Sequence, residues 1–132
     1  MHKLSKEMRD CINTCLACYA SCLGTSMMHC LEQGGKHVEP EHFRLMMGCA
    51  EICRVSAHFM LIGTEHHKHT CRECAEICTE CAQSCEQLDG MQECVEALRG
   101  GLPANGRMIT DSSHPHHGVR LRTSGDAIYA RL

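Results

Sequence analysis

The sequence predicts an all-α protein: an antiparallel, up-down-up-down four-helix bundle with a cysteine-lined core and a fourth helix that is short or atypical. Three observations carry this. Large rings are nearly absent, with no Trp, two Phe and two Tyr in 132 residues, and a core built without them suits closely packed helices better than a sheet. Apolar and sulfur-bearing residues recur at alternating steps of three and four, the spacing of one helix face. The breaks between these stretches are short, which makes consecutive helices antiparallel neighbours.

Taken in order, the first helix runs from about Leu4 to Gln33 and is stopped by Gly34-Gly35, where glycine is free to adopt positive φ. The loop GGKHVEP follows. Pro40 fits the first turn of a second helix that continues to about Ile62. Gly63 closes it, and Thr64 is placed to cap a third helix from about Glu65 to Leu88. Asp89-Gly90 is a turn, with Asp89 positioned to cap a fourth helix starting at Met91. That helix is soon broken by GGLPANG. No 3.6-residue stripe follows, and the Gly, Pro, Asn and Ser content predicts an irregular or disordered tail. The expected organisation is therefore a bundle over residues 1–99 and a tail over 100–132.

The unusual counts are 13 Cys, 11 His and 9 Met, all soft or borderline metal ligands. On a helical wheel the first helix aligns Leu4, Met8, Cys11, Cys15, Cys18 and Cys22. The second aligns His42, Met46, Cys49, Cys53, Ser56 and Met60. The third aligns His67, Cys71, Cys74, Cys78, Cys81, Cys85 and Leu88, and the fourth begins with Met91, Cys94 and Leu98. These are heptad a and d positions, which face a bundle axis. The thiols therefore replace the hydrophobic seam and line the interior.

Buried Cys often acts as a small hydrophobe. A seam made of it, however, fills less volume than leucine and leaves the core underpacked, so something else should occupy the axis. Disulfides do not explain the pattern. Residues three or four apart on a helix have Cβ atoms roughly 5–6 Å apart, against about 3.5–4.5 Å across a disulfide. Zinc takes four ligands in a tetrahedron, so 13 cysteines in continuous lines overshoot one zinc site. The C-x2-C-x3-C-x2-C run resembles iron–sulfur ligation, yet a straight helix does not wrap a cluster as a ferredoxin loop does. Bis-thiolate binding suits Cu(I), which Cys and Met select. The axial row reads as a container for multiple Cu(I) ions.

The two ends differ. Met27, Met28, His29 and Cys30 are expected near His42, Met46, Met47 and Met91, where thioethers and imidazoles form an entry for Cu(I). The opposite end collects Met8, His58, Met60, His66, His67 and His69, of which His67 lies on the cysteine line. His114, His116 and His117 lie in the tail.

The stretches CINTCLACYASC, GCAEICRVSAHFM and CRECAEICTECAQSCEQLDGMQEC resemble those of the four-helix-bundle copper storage proteins (Csp family), over roughly residues 4 to 98. The resemblance implies a bundle that stores Cu(I) without catalysis, often as a homotetramer. It places the core thiolates at Cys11, Cys15, Cys18, Cys22, Cys49, Cys53, Cys71, Cys74, Cys78, Cys81, Cys85 and Cys94, with Cys30 nearer the mouth. Family members usually continue the fourth helix with further cysteines, whereas this chain turns into RGGLPANGRMITD. A bundle cut short there exposes part of its seam unless the tail or a partner subunit covers it.

Other classes recede. The formal net charge of −3 argues against a general nucleic-acid binder. No catalytic triad, phosphate loop or nucleotide fingerprint appears. The N-terminus MHKLSKEMRDCINTC has no apolar h-region and no run is long enough to span a membrane, so a cytoplasmic location with reduced thiols is expected. Two alternatives stay open: an iron–sulfur electron carrier, and a zinc-dependent redox switch that binds a partner protein.

Overall fold

The computed structural model describes residues 4–100; the expected tail over 100–132, with His114, His116 and His117, lies outside the described residues apart from Gly100. Four helices form the bundle. Helix α1 spans Lys6–Thr25, and the Ser5 hydroxyl caps it by accepting the Met8 N–H at 3.1 Å. A π-helical turn, Ser26–Cys30, and one α turn, Leu31–Gln33, continue the same rod. The chain then reverses through Gly34 and Gly35, with φ of 65° and 54°, conformations that L side chains resist. Helix α2 spans Pro40–Leu61 with its proline at the start.

Helix α3 spans His67–Glu86, beginning two residues later than the Glu65 expected from sequence. The reason lies in the opening hydrogen bonds. The N–H groups of His67, Lys68 and His69 each reach back three residues, to the carbonyls of Thr64, Glu65 and His66, which makes a tighter turn ahead of the α-helix. The Thr64 hydroxyl accepts the His66 N–H at 3.3 Å, so it caps that turn instead of the helix proper. Helix α4 spans Gln92–Leu98, seven residues, and is short as predicted. Asp89 does not cap it. Its main-chain carbonyl instead accepts hydrogen bonds from His29 Nε2 at 3.2 Å and His37 Nε2 at 2.9 Å.

The helices pack in a ring. Helix α1 lies on α2, α2 on α3, and α4 against both α3 and α1. Cys49 meets Cys78 and Cys53 meets Cys74. Four residues forward on α2 is therefore four back on α3, as antiparallel neighbours require. Helix α4 is tied to α3 by an ion pair between Arg99, which is buried, and Glu86.

The predicted seam is the observed core, except that Leu4, Met8, His67 and Leu88 at its ends are only partly buried. His42, Met46, Cys49, Cys53, Ser56 and Met60 of α2 are all buried, as are Met91, Cys94 and Leu98 on and just before α4. All 13 cysteines are free thiols and buried, so the short α4 leaves none of them open within the single chain. Aliphatic side chains such as Ile12, Val95 and Leu98 fill in beside the sulfurs.

The π turn explains the burial of Cys30. It lies eight residues after Cys22. At about 100° per residue a regular α-helix carries it roughly 80° past two full turns, off the seam. A π turn is wider, at roughly 82° per residue, so five such residues recover about 90°. Ser26, four residues after Cys22, is already on the inner face, and the π turn brings Cys30 back to it, so both are fully buried.

Candidate metal centre

Sulfur atoms from all four helices meet along the axis. Across helices, Cys49 Sγ and Cys78 Sγ are 3.6 Å apart, Cys53 Sγ is 3.7 Å from both Cys74 Sγ and Cys78 Sγ, and Cys22 Sγ is 3.7 Å from Cys94 Sγ. Along one helix, Cys18 and Cys22 are 3.9 Å apart and Cys74 and Cys78 3.7 Å apart. Among the described residues, two groups have all their donor atoms within 4.8 Å of one another: Cys18, Cys49, Cys53 and Cys78, and a second of Cys22, Cys49 and Cys81. Cys49 belongs to both, so the groups form one continuous sulfur lattice.

Near the loops Gly34–Glu39 and Gln87–Met91 the lattice meets thioethers. The Cys81 and Cys85 thiols donate to Met46 Sδ at 3.4 and 3.3 Å, and Cys30 to Met91 Sδ at 3.8 Å. His42 is buried there. Its Nδ1 shares a hydrogen bond of 2.7 Å with Ser84 Oγ, while its Nε2 is buried with no partner among the described residues. Burial lowers the basicity of His42, chiefly by penalising the imidazolium, and leaves the ring in the neutral form that binds metals.

Of the residues expected at this end, the structure brings in His42, Met46, Met91 and Cys30. Met27 and Met28 it leaves outside: Met28 is 80% exposed. His29 turns to Asp89. At the other end Met60 is buried, but His58, His66 and His69 are exposed. His67 is half-buried, its Nδ1 bonded to the Thr64 carbonyl at 2.7 Å, and it stands outside both sulfur groups. Cys11 and Cys71 continue the lattice toward that end, where Ser56 replaces a thiol on the α2 line. Sequence reasoning missed Ser84; its i+42 relation to His42 has no local signal.

The thiols do not share one acidity. Burial, then the neighbouring Cys74, pushes Cys71 up to about 12. Burial also raises Cys30, with Cys94 and Cys81 adding to it. Where a sulfur collects several S–H donors its thiolate is favoured. Hydrogen bonds from Cys22 and Cys85 bring Cys94 down to about 5, and Cys18 and Cys81 are lowered in the same way. Their donors, Cys22 and Cys85, are correspondingly raised. Shared S–H hydrogen bonds thus shift neighbouring thiols in opposite directions, and a metal that binds them displaces the protons they hold.

The comparisons agree with this geometry. A family model described as copper storage protein matches residues 4–108. The chain is also similar to the crystal structure of the Nmul_A1745 protein from Nitrosospira multiformis, with 43% identity and a TM-score of 0.75, covering 96% of this chain and 98% of that one. No curated protein matches. The family model extends over the whole described bundle, including the stretches that carry the sulfur lattice, and on that ground this chain belongs to the copper storage protein family.

Proposed function

We propose that this protein sequesters and stores multiple Cu(I) ions on the cysteine thiolates of its core and performs no catalysis. The observation that carries the reading is the burial of all 13 thiols, with seven of them, from all four helices, in sulfur–sulfur contacts of 3.6–3.9 Å. Cu(I) is soft, accepts two or three thiolates and tolerates shared ones. A helical row of sulfurs supplies such sites repeatedly, whereas a carboxylate- or water-loving ion finds nothing here to bind. Each ion that enters displaces thiol protons, and sulfur bridges between ions spread the residual negative charge.

The ligands in this reading are Cys11, Cys15, Cys18, Cys22, Cys30, Cys49, Cys53, Cys71, Cys74, Cys78, Cys81, Cys85 and Cys94, with His42 and Met46 at the mouth and His67 at the far end. Cu(I) meets His42, Met46 and Met91 first, since thioethers and a neutral imidazole need not lose a proton. It then passes to the Cys94 thiolate and inward. Assembly as a homotetramer and residence in the cytoplasm belong to the same reading. No helix among the described residues is long and apolar enough to cross a membrane.

The test is an anaerobic titration of fully reduced protein with Cu(I) against a competing chelator, thiols being counted first. Unshared bis-thiolate sites on 13 cysteines give about six ions per chain, and bridging raises that number. Saturation at one or two equivalents sinks the storage reading.

A further inference from the structure

A divalent ion asks something different of the same sulfurs. We infer that the copper-free chain holds one thiophilic divalent cation, of the Zn(II) class, in a closed tetrathiolate cage of Cys18 from α1, Cys49 and Cys53 from α2, and Cys78 from α3. Taken over the whole chain, cysteines are too many for a zinc site; at this one level of the bundle their geometry is that of one.

Tetrahedral Zn(II) with Zn–S bonds of about 2.3 Å has S···S edges of about 3.8 Å. The cage has Cys49–Cys78 at 3.6 Å and Cys53–Cys78 at 3.7 Å, and all four Sγ atoms lie within 4.8 Å of one another. Bringing every edge to that length takes changes in S···S distance of a few tenths of an ångström up to about an ångström. Three helices contribute, so the sulfurs surround a point instead of following a line. Zn(II) with four thiolates carries a net −2, which a buried site tolerates only with hydrogen-bond donors around it. The cage has them: Cys22 Sγ lies 3.9 Å from Cys18 Sγ, and Cys74 Sγ lies 3.7 Å from both Cys53 Sγ and Cys78 Sγ. Cys22 donates its S–H to Cys18 already in the metal-free chain, whereas Cys74 there accepts from Cys53 and Cys78, so filling the cage turns Cys74 from acceptor to donor.

The stoichiometry is also fixed by the geometry. The other close group, Cys22, Cys49 and Cys81, offers three sulfurs and shares Cys49 with the cage, so filling the cage leaves it two. One divalent cation per chain therefore contrasts with many Cu(I). The reaction is balanced without an oxidant: four thiols and Zn(II) give the tetrathiolate and four protons.

Reduced, copper-free, full-length protein with His114, His116 and His117 changed to Ala is titrated with Co(II) and then Zn(II). The expected result is saturation at one Co(II) per chain, with the intense visible bands of tetrahedral thiolate coordination, abolished by one Zn(II). Cadmium-113 NMR of the unsubstituted chain should show one resonance in the tetrathiolate range, a readout that needs no variant. Cys18→Ser and Cys78→Ser should weaken Co(II) more than roughly tenfold, since even outer partners of a metal ligand are worth about that. Cys11→Ser and Cys30→Ser, outside the cage and its donors, should leave it unchanged. Circular dichroism checks that each variant stays helical. No saturable binding, saturation at two or more equivalents, an octahedral spectrum, or an equal loss in Cys11→Ser overturns the cage. None of these titrations contains copper, so their outcome is separate from that of the storage reading.

Discussion

Cys71 illustrates what burial does to a single thiol. Its pKa, pushed up to about 12 by desolvation and by Cys74, keeps it protonated at neutral pH. Metal must therefore displace a proton there, and affinity for Cu(I) should climb as pH rises. Stability moves the other way. Between the ordinary thiol value of 9.0 and about 12 the unfolded chain has lost the Cys71 proton while the native chain keeps it, so ΔG of unfolding falls with pH across that window. Denaturant midpoints of copper-free protein measured from pH 8 to 11 should fall, and Cys71→Ser should make the fall shallower; an unchanged slope would show that Cys71 is not the group responsible. At this scale the sequence was highly legible for the seam, because every cysteine placed on a heptad line is buried. It was less so for histidines. His67 shares the line but sits in the first turn of α3, where its Nδ1 is taken by Thr64. His42 gained its role from a serine on another helix.

Among the elements, the π turn and the Asp89-Gly90 loop are the two that a helical wheel cannot see. A wheel advances every residue by the same angle, so Cys30, eight places after Cys22, falls off the line; the wider turn restores it. A π turn of this kind amounts to one extra residue in an α-helix. Deleting Met28, 80% exposed, leaves Cys30 seven residues after Cys22, back on the face of a regular helix. That deletion should cost no more than about 1 kcal/mol and leave Cu(I) stoichiometry intact, as read by thermal midpoint and titration. Loss of a copper equivalent would mean that the π geometry itself is required. The loop is tighter. Gly90 has φ of 77°, and a Cβ there falls 2.7 Å from the His29 ring, whereas Gly63, with φ of 74°, has open space around it. Gly63→Ala should destabilise by about 1 kcal/mol from backbone strain alone. Gly90→Ala should cost more, about 2 kcal/mol, and should loosen the hydrogen bonds from His29 and His37 to Asp89. Equal losses in the two variants would rule out the clash. Neither contact was legible, since His29 and His37 meet residue 89 from more than fifty positions away and carry no local pattern. The boundaries missed at α3 and α4 have the same origin: three-residue hydrogen bonds and a main-chain acceptor leave little trace in side-chain spacing.

For the molecule as a whole, the core is a hydrophobic interior with much of its carbon replaced. Cysteine buries less volume than leucine, and the aliphatic partners are few, so the metal-free bundle rests on modest packing. Cations that bind only the folded chain then raise its stability by mass action, about 4 kcal/mol at a free concentration a thousandfold above Kd. Loading with Cu(I) should therefore raise the thermal midpoint by well over 10 °C for a domain of this size while far-ultraviolet circular dichroism changes little. A large gain in helicity would contradict the preformed lattice. The bundle class and the sulfur axis were readable in advance because one repeat, three and four, governs them, and the short connections made consecutive helices antiparallel neighbours.

Ser56 adds a final consequence. Its hydroxyl stands fully buried on the α2 line between Cys53 and Met60, next to the thiol of Cys71. Serine and cysteine differ there by a single atom, so Ser56→Cys should fold unaltered and raise the Cu(I) endpoint of the titration, while Ser56→Ala should not. If the chain stores Cu(I) as proposed, the vessel's volume is a matter of which atom occupies each rung, and inventory can be enlarged or trimmed one point substitution at a time without redrawing the scaffold.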